Sequence, residues 1–256
     1  MSSAPRLFVD FDLSEGIRAE LSDEQSNYLS RVLRLPKGAS ARLFNGRDGE
    51  WVCELAEVFR RSVTVVALKQ LRSQPPREPV SVDLWFAPVK KARTDFIVEK
   101  ATELGVRSIR PVITARTQSD RVRIDRLAKI ALEAAEQTER LDLPEIDEPL
   151  SLHSALETLE PGHNLVFCDE AGDDADQPWG GETGRAKPIR EALMGIAPQS
   201  ATLLVGPEGG FTKDERALLR GTEFVCPVTL GPRILRAETA VVAALAVWQS
   251  IVGDWR

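Results

Sequence analysis

Two glycine-containing turns near the C-terminus are the stretches of this sequence best suited to bind a ligand. The first, GPEGG, begins at Gly206 directly after an apolar run, and the second, GP, begins at Gly231 after another. Glycine turns at the carboxyl ends of strands leave main-chain N–H and C=O groups accessible, so a pair of them predicts a pocket walled by backbone. The alternative is that both are ordinary connections between a strand and a helix.

The chemistry of these turns favours a flat, polar ligand with a positive centre. Neither turn has the Gly-Lys-Ser/Thr ending of a P-loop or the spacing of a dinucleotide-binding motif. Glu208 would repel a phosphate but accept a cation. A nucleotide-like molecule read by amides and carbonyls is the ligand class that this pattern predicts.

The segments around the turns predict strands before them and helices after them. Leu203–Val205 and Val225–Leu230 are apolar enough to be buried strands, and we expect them to be neighbours in one sheet. Thr212 and Glu215 have the spacing of a capping box, which predicts a helix beginning near Thr212. The alanine-rich residues 237–252 predict the second helix, whose apolar surface on nearly all sides requires burial by a partner subunit or by the chain's own core.

The residues before the first turn alternate between strand and helix patterns, which predicts an α/β domain with a mainly parallel sheet. The predicted strands are 80–86, 109–114 and 164–168, and the predicted helices are 94–104 and 123–140. Residues 171–187 are rich in Gly, Asp and Pro, and we expect a flexible insertion without chemistry there.

The first 72 residues predict a small β-barrel domain. Strand patterns cover 6–11, 41–44, 51–58 and 62–71, and a capping box at Ser22 and Gln25 predicts one helix ending near Leu33. The three prolines of 73–79 predict a linker. The predicted domains are therefore residues 1–72 and 80–256.

Charge is distributed unevenly although the net charge is -6. Residues 60–129 hold 16 Lys/Arg and 7 Asp/Glu, whereas residues 141–182 hold 12 Asp/Glu and no Lys/Arg. One face could therefore bind phosphates while another repels them, unless both runs are only solvated surface.

The cysteines, the histidines and the hydropathy pattern argue against several classes of protein. Three widely spaced cysteines predict neither a disulfide framework nor a zinc site, and the two histidines, expected at the surface, predict no metal centre and no histidine-based triad. No apolar run approaches the roughly 20 residues of a membrane span, and the N-terminus lacks the pattern of a signal peptide. A cytoplasmic location is the resulting expectation.

Motifs spread along most of the chain resemble one known family. They are RVLRL at 31–35, KKARTD at 90–95, KATELGV at 100–106, EAAEQTER at 133–140, LVGPEGGFT from Leu204, and LGPRILRAETA from Leu230. This set resembles the bacterial small-subunit ribosomal RNA uracil-N3 methyltransferases, the methyltransferase E family of the SPOUT superfamily. The sequence departs from the family at Asn27 and Tyr28, where a histidine pair is common, and in the length of 171–187.

The resemblance implies a PUA-like N-terminal barrel, a C-terminal domain with a deep trefoil knot, and a homodimer. It implies S-adenosylmethionine as cofactor, no metal, and as partner 16S ribosomal RNA or the assembled small subunit. The cofactor-binding residues expected from it are Leu204, Gly206, Pro207, Glu208, Gly209, Leu230, Gly231, Ile234, Leu235 and Thr239. The expected RNA-binding residues are Arg31, Arg34, Lys90 and Arg93.

A uracil imide must lose its N3 proton before it can attack a methyl group, and a fixed guanidinium can stabilise the resulting anion. The candidates are Arg140 and Arg236, each of which could instead form a salt bridge, to Glu136 or Glu238 respectively. Glu238 or Glu136 is the candidate proton acceptor, through a water molecule. Two rival functions stay open: methylation of another RNA by the same kind of fold, and a non-catalytic clamp in ribosome assembly.

Overall fold

The computed structural model describes residues 4–76, 79–118, 121–160, 162–170, 186–196 and 199–255. The chain divides into two units, the first formed by Met1–Arg77 and Ala135–Leu143 and the second by Glu78–Ala134 and Pro144–Arg256. The sequence did not predict that the segment Ala135–Leu143 belongs to the first unit. Most of the predicted insertion at 171–187 lies outside the described residues.

The first unit contains a five-stranded sheet with the order β1-β3-β4-β5-β2. Its strands are β1 (Arg6–Phe8), β2 (Arg18–Glu20), β3 (Ser40–Phe44), β4 (Glu50–Val58) and β5 (Val63–Arg72). β1 and β3 are parallel, and the other pairs are antiparallel. The hairpin predicted around the Asn-Gly turn is confirmed as β3 and β4.

The helix of the first unit ends near Leu33, as predicted, but its second half is not α-helical. α1 (Asp23–Asn27) begins with the predicted capping box, in which Ser22 and Gln25 bond to each other's backbone amides. It continues as a wider π-helical turn at Tyr28–Val32, closed by a 2.9 Å bond from the Leu33 N–H to the Tyr28 carbonyl. Arg34 then takes a φ of 53°, which ends the helix.

A buried ion pair fastens the segment 135–143 within the first unit. The Arg6 guanidinium lies 2.6 Å from Glu50 Oε1, and both side chains are almost fully buried. Arg6 also donates to the carbonyls of Ala135 at 2.6 Å and Arg140 at 2.5 Å. Desolvation lowers the pKa of Arg6, and its pairing with Glu50 opposes that shift.

The second unit contains an eight-stranded sheet in which all pairs are parallel, which confirms the predicted α/β class. The strand order is β11-β13-β10-β12-β6-β7-β8, with β9 also paired to β7. The strands are β6 (Val82–Phe86), β7 (Ser108–Ile113), β8 (Glu145–Ile146), β9 (Leu150–Ser151), β10 (Asn164–Cys168), β11 (Lys187–Pro188), β12 (Ala201–Val205) and β13 (Val225–Thr229).

Helices cover both faces of this sheet. They are α2 (Lys91–Glu103), α3 (Ile124–Gln137), α4 (Leu152–Glu157), α5 (Ile189–Ile196), α6 (Lys213–Arg220) and α7 (Ala237–Ile251). Successive side chains of a strand point to opposite faces. Leu203 and Val205 accordingly join one core cluster, whereas Leu204 joins the other.

The core of the second unit covers one side of the last helix. Trp248 of α7 is 1% exposed and lies in the core cluster that includes residues of α2, α5 and β12. The core therefore covers one side of this helix, whereas Val242, Ala243 and Ala246 are only half-buried, and burial of that side by a partner subunit stays a prediction. Among the described residues, no helix is long and apolar enough to cross a membrane.

One histidine differs from its predicted surface location. His163 is half-buried, with Nε2 2.9 Å from the Thr202 hydroxyl, and burial lowers its pKa. It therefore contributes to the interior of the second unit.

Candidate functional site

The two glycine turns and the end of β10 line one cavity of about 330 Å³ in the second unit. The sequence predicted β12 and β13 as direct neighbours, and this prediction is wrong. β10 lies between them and pairs with both, so its terminal residues Cys168, Asp169 and Glu170 also line the cavity. The cavity thus lies at the carboxyl ends of three adjacent parallel strands, where open α/β sheets bind ligands.

The first turn packs so tightly that Gly206 has no room for a side chain. A Cβ atom at Gly206 would lie 2.3 Å from the Phe211 ring. Phe211 is itself buried and packs edge-to-face on Phe167, with ring centroids 5.0 Å apart. Gly206 therefore sets the path of the turn along the cavity wall.

The end of the first turn is fastened by the predicted capping box and by the segment that follows β7. Thr212 and Glu215 make both reciprocal bonds of the box. Glu215 Oε1 also accepts a 2.7 Å bond from the Ala115 N–H, and Arg116 donates at 2.8 Å to the Gly209 carbonyl. These long-range contacts fasten the turn to the segment that follows β7.

The second turn presents aliphatic side chains beside an uncrowded glycine. Gly231 has a φ of 114°, and a Cβ there would meet no atom within 4 Å. Leu230, Ile234 and Leu235 line the cavity, and Ile234 is 70% exposed. This wall can cover the apolar face of a flat ring while main-chain groups bind the edge of the ring.

Three charged side chains meet at one side of the cavity. Arg93, from the first turn of α2, contacts Glu208 of the first glycine turn. The Arg93 Nε also lies 3.5 Å from Glu238 Oε1, in the first turn of α7. Arg93 thus connects the first glycine turn to α7, a role that the sequence did not predict.

The end of β10 adds a neutralised carboxylate and an inert thiol. Asp169 is buried and receives bonds of 2.7–3.0 Å from Arg216 and Arg220 of α6. Burial, with the negative charges of Glu170 and Asp169, raises the pKa of Cys168 to about 12. Cys168 is therefore protonated at neutral pH and cannot act as a nucleophile there.

Most of the predicted cofactor residues line the cavity. They are Gly206, Pro207, Glu208, Leu230, Gly231, Ile234 and Leu235, together with the predicted catalytic residue Arg236 and the predicted RNA contact Arg93. Among the described residues, the cavity wall does not include four other predicted residues: Leu204, Gly209, Thr239 and Glu238. Leu204 is fully buried in the sheet because it points to the opposite face from Val205.

The two candidate arginines have different surroundings. Arg236 is exposed, lines the cavity, and forms no salt bridge with the described residues, so the alternative pair with Glu238 is not formed. Arg140 belongs to the first unit, with Nε 2.7 Å from Asp142 Oδ1.

The other predicted RNA contacts lie outside the cavity wall. Arg31 and Arg34 are exposed around the π-helical turn of the first unit, and Lys90 is exposed at the N-terminus of α2.

Three residues of this site or its support were not predicted from the sequence: Asp169, Arg116 and Arg233. The order of the strands brings Asp169 to the cavity, and no local pattern encodes that order. Within the ranges that the structure describes, no group of three or more His, Cys, Asp or Glu residues is placed to hold a metal ion.

Comparison with known proteins identifies the family. A model described as an RNA methyltransferase domain matches residues 76–249, and a model described as an RNA methyltransferase PUA domain matches residues 21–68. The ribosomal RNA small subunit methyltransferase E of Rickettsia conorii is 32% identical over 242 residues, which cover 94% of this chain and 93% of the relative.

Two solved structures resemble nearly the whole chain. The structure of a methyltransferase from Legionella pneumophila, in complex with the cofactor SAM, matches this chain with a TM-score of 0.82 and 29% sequence identity. The match covers 96% of this chain and 97% of the Legionella chain. The structure of the ribosomal RNA small subunit methyltransferase E of Neisseria gonorrhoeae, bound to S-adenosyl methionine, matches this chain with a TM-score of 0.80 and 27% sequence identity. The match covers 99% of this chain and 100% of the Neisseria chain. The resemblance inferred from the motifs is confirmed, and the chain belongs to the RNA methyltransferase family that includes the ribosomal RNA small subunit methyltransferases E.

Proposed function

We propose that this protein transfers a methyl group from S-adenosylmethionine to N3 of a uridine in the RNA of the small ribosomal subunit. The observation that carries the proposal is the cavity that both glycine turns and the end of β10 line. The relatives from Legionella and Neisseria, whose structures contain this methyl donor, support the choice of cofactor. The choice of ribosomal RNA rests on the name of the Rickettsia relative, and the choice of uracil N3 rests on the sequence motifs.

The residues that line the cavity fit the methyl donor. The volume of about 330 Å³ lies within the range of small-molecule sites. Leu230, Ile234 and Leu235 supply apolar contacts for an adenine ring, and Gly231 leaves space for the ring because no atom lies within 4 Å of the place where a Cβ would stand. Glu208 supplies a carboxylate for a positive centre.

Arg236 is the residue that we assign to the reacting base. Bound S-adenosylmethionine supplies a methyl group activated by a sulfonium. N3 first loses its proton to a water molecule, and the negative charge spreads over the two flanking carbonyl oxygens. The new N3–CH₃ bond then forms as the S–CH₃ bond breaks, with S-adenosylhomocysteine as the leaving product. Arg236 lines the cavity with its guanidinium unpaired among the described side chains, so it can bind such an oxygen. Arg140, Glu238 and Glu136 stay predictions for this chemistry.

The first unit offers a surface for RNA. Four arginines there are exposed and form no salt bridge with the described residues: Arg31, Arg34, Arg60 and Arg61. The large exposed side chains close to them in the sequence are Tyr28, Val32, Leu33 and Phe59. A 3.5 Å contact between the Ser30 hydroxyl and the Arg60 carbonyl connects the π-helical turn to the loop at 59–62. Guanidinium groups bind phosphates and aromatic rings stack on unpaired bases, so this combination suits RNA outside a regular duplex.

Variants of this surface test the RNA contact. Phe59→Ala and Arg31→Ala are each expected to weaken binding of small-subunit RNA in a filter assay, with about 1–3 kcal/mol lost for a stacked base. Arg47→Ala is the matched control, because Arg47 is exposed but paired with Asp12 at 2.8 Å. Equal binding by all three variants would contradict the assignment of this surface.

The assembly and the location of the protein are further parts of the proposal. It acts as a homodimer in the cytoplasm, as the resemblance to its family implies. Sedimentation equilibrium should give twice the 28.2 kDa mass of the chain. A monomer at micromolar concentration would contradict the proposed dimer.

The reaction itself is tested by mapping the labelled product. The protein is incubated with methyl-labelled S-adenosylmethionine and small subunits from a strain that lacks this methyltransferase, and the labelled nucleoside is identified. N3-methyluridine is expected. A labelled ribose or guanine would favour the rival RNA methyltransferase activity, and the absence of both transfer and calorimetric binding of the donor would favour the non-catalytic clamp.

A further inference from the structure

The contacts among Arg93, Glu208 and Glu238 leave one carboxylate charge in excess. The side chains are 33%, 24% and 15% exposed, so all three are partly shielded from water. Arg93 contacts Glu208 directly, whereas its nearest approach to Glu238 is 3.5 Å. Arg93 is therefore held mainly by the residue that lines the cavity.

Glu238 has an unused acceptor beside Arg93. Its Oε2 is buried and has no hydrogen-bond partner among the described residues. Leaving a buried charged acceptor without a partner is unfavourable. A guanidinium can satisfy two carboxylate oxygens at once, so Arg93 would form a fuller pair with Glu238 than it has now.

The other charges around the cavity do not substitute for Glu208. Asp169 is already paired with Arg216 and Arg220. Arg233 and Arg236 lie on the exposed second turn, where solvent screens them, and their charge does not attract a cation. Glu170, at the end of β10, is the remaining acidic residue of the wall, and burial raises the pKa of its carboxyl, which disfavours its charged form.

We propose that Arg93 competes with the sulfonium of the methyl donor for Glu208, and that Glu238 is the alternative carboxylate onto which Arg93 moves. This inference rests on the proposed function and names a specificity element within that site. Glu208 then contacts the positive charge of the donor, and Glu238 is a positioning residue for Arg93.

The consequence is discrimination between donor and product. S-adenosylhomocysteine, the product, differs from the donor by one methyl group and one positive charge. A carboxylate that faces the sulfonium favours the donor only, so Glu208 raises the affinity for the donor relative to the product. Arg93 reduces this preference to the extent that it stays on Glu208.

Calorimetric titration of both ligands tests the inference through the ratio of their affinities. Glu208→Gln should lower the preference for donor over product by about fivefold, which is the upper range for a partly exposed charge pair. Arg93→Met should raise the preference, and Glu238→Gln should lower it because Arg93 then stays on Glu208. Glu157→Gln removes one negative charge at an exposed residue of the same unit, and it should leave the preference for donor over product unchanged.

A double variant tests the movement of Arg93. In the Arg93→Met background, Glu238→Gln should have no further effect, since no guanidinium is left to move. A loss as large as that in the wild-type background would overturn the role of Glu238.

Wild-type-like ratios for Glu208→Gln, with both ligands still bound, would overturn the inference and leave the proposed function intact. Failure of the wild-type protein to bind either ligand would instead overturn the proposed function and the inference with it. Circular dichroism and S-adenosylhomocysteine binding establish that each variant is folded.

Discussion

Replacement of Gly206 by alanine tests whether the first turn is positioned by close packing. The added Cβ would lie 2.3 Å from Phe211 Cε2, whereas ordinary contacts begin near 3.4 Å, so the ring or the turn must move by about 1 Å. Phe211 cannot move freely because it is buried against Phe167. Overpacking of this kind costs about 1–3 kcal/mol in the free energy of unfolding, and we expect weaker donor binding because the turn is displaced.

Gly209→Ala is the matched control in the same turn. Its Cβ would lie 3.4 Å from the Arg116 side chain, which is an ordinary contact. We expect a change in the free energy of unfolding within about 0.5 kcal/mol. Urea denaturation followed by circular dichroism, with calorimetric titration of S-adenosylmethionine, measures both effects. If Gly206→Ala and Gly209→Ala behaved alike, the packing of Gly206 on Phe211 would not position the turn.

Three further predictions concern Arg236, Cys168 and the buried pair of the first unit. Arg236→Ala should retain donor affinity but lose about 10²–10³-fold in turnover in the methyl-transfer assay; normal turnover would remove Arg236 from the mechanism. Cys168, with its pKa of about 12, should resist iodoacetamide at pH 8 in the native protein but react after denaturation, as peptide mass spectrometry can show; rapid native labelling would contradict its burial. Arg6→Met leaves the buried Glu50 with only the more exposed Arg42 and Arg72 as partners. In urea denaturation it should lower the free energy of unfolding of the first unit by about 2–4 kcal/mol. A change below about 0.5 kcal/mol would mean that the pair is unimportant for stability.

Local signals in the sequence predicted the elements well where a few adjacent residues determine them. The capping boxes at Ser22 and Thr212 depend on a partner three residues away, and both are present. The buried strands β6 (Val82–Phe86) and β12 (Ala201–Val205) follow from apolar runs. α4 and α5 were missed because they have only six and eight residues.

Contacts between distant residues could not be predicted in this way. Nothing in the local pattern of Asn164–Cys168 indicates that this strand lies between β12 and β13. Arg93 was predicted to contact RNA because it belongs to a basic motif, yet the fold places it between Glu208 and Glu238, 115 and 145 residues further along the chain. The cavity was predictable as a pair of turns, together with the charges of Glu208 and Arg236, but the contributions of Arg93 and Asp169 were not, because these residues come from α2 and the end of β10.

The most direct test of the proposed site is a crystal structure of the protein with S-adenosylmethionine. We expect the donor in the cavity between the turns that begin at Gly206 and Gly231, with its adenine against Leu230, Ile234 and Leu235 and its sulfonium facing Glu208. Density for the donor at any other place, or side chains of the protein filling this cavity, would contradict the proposal.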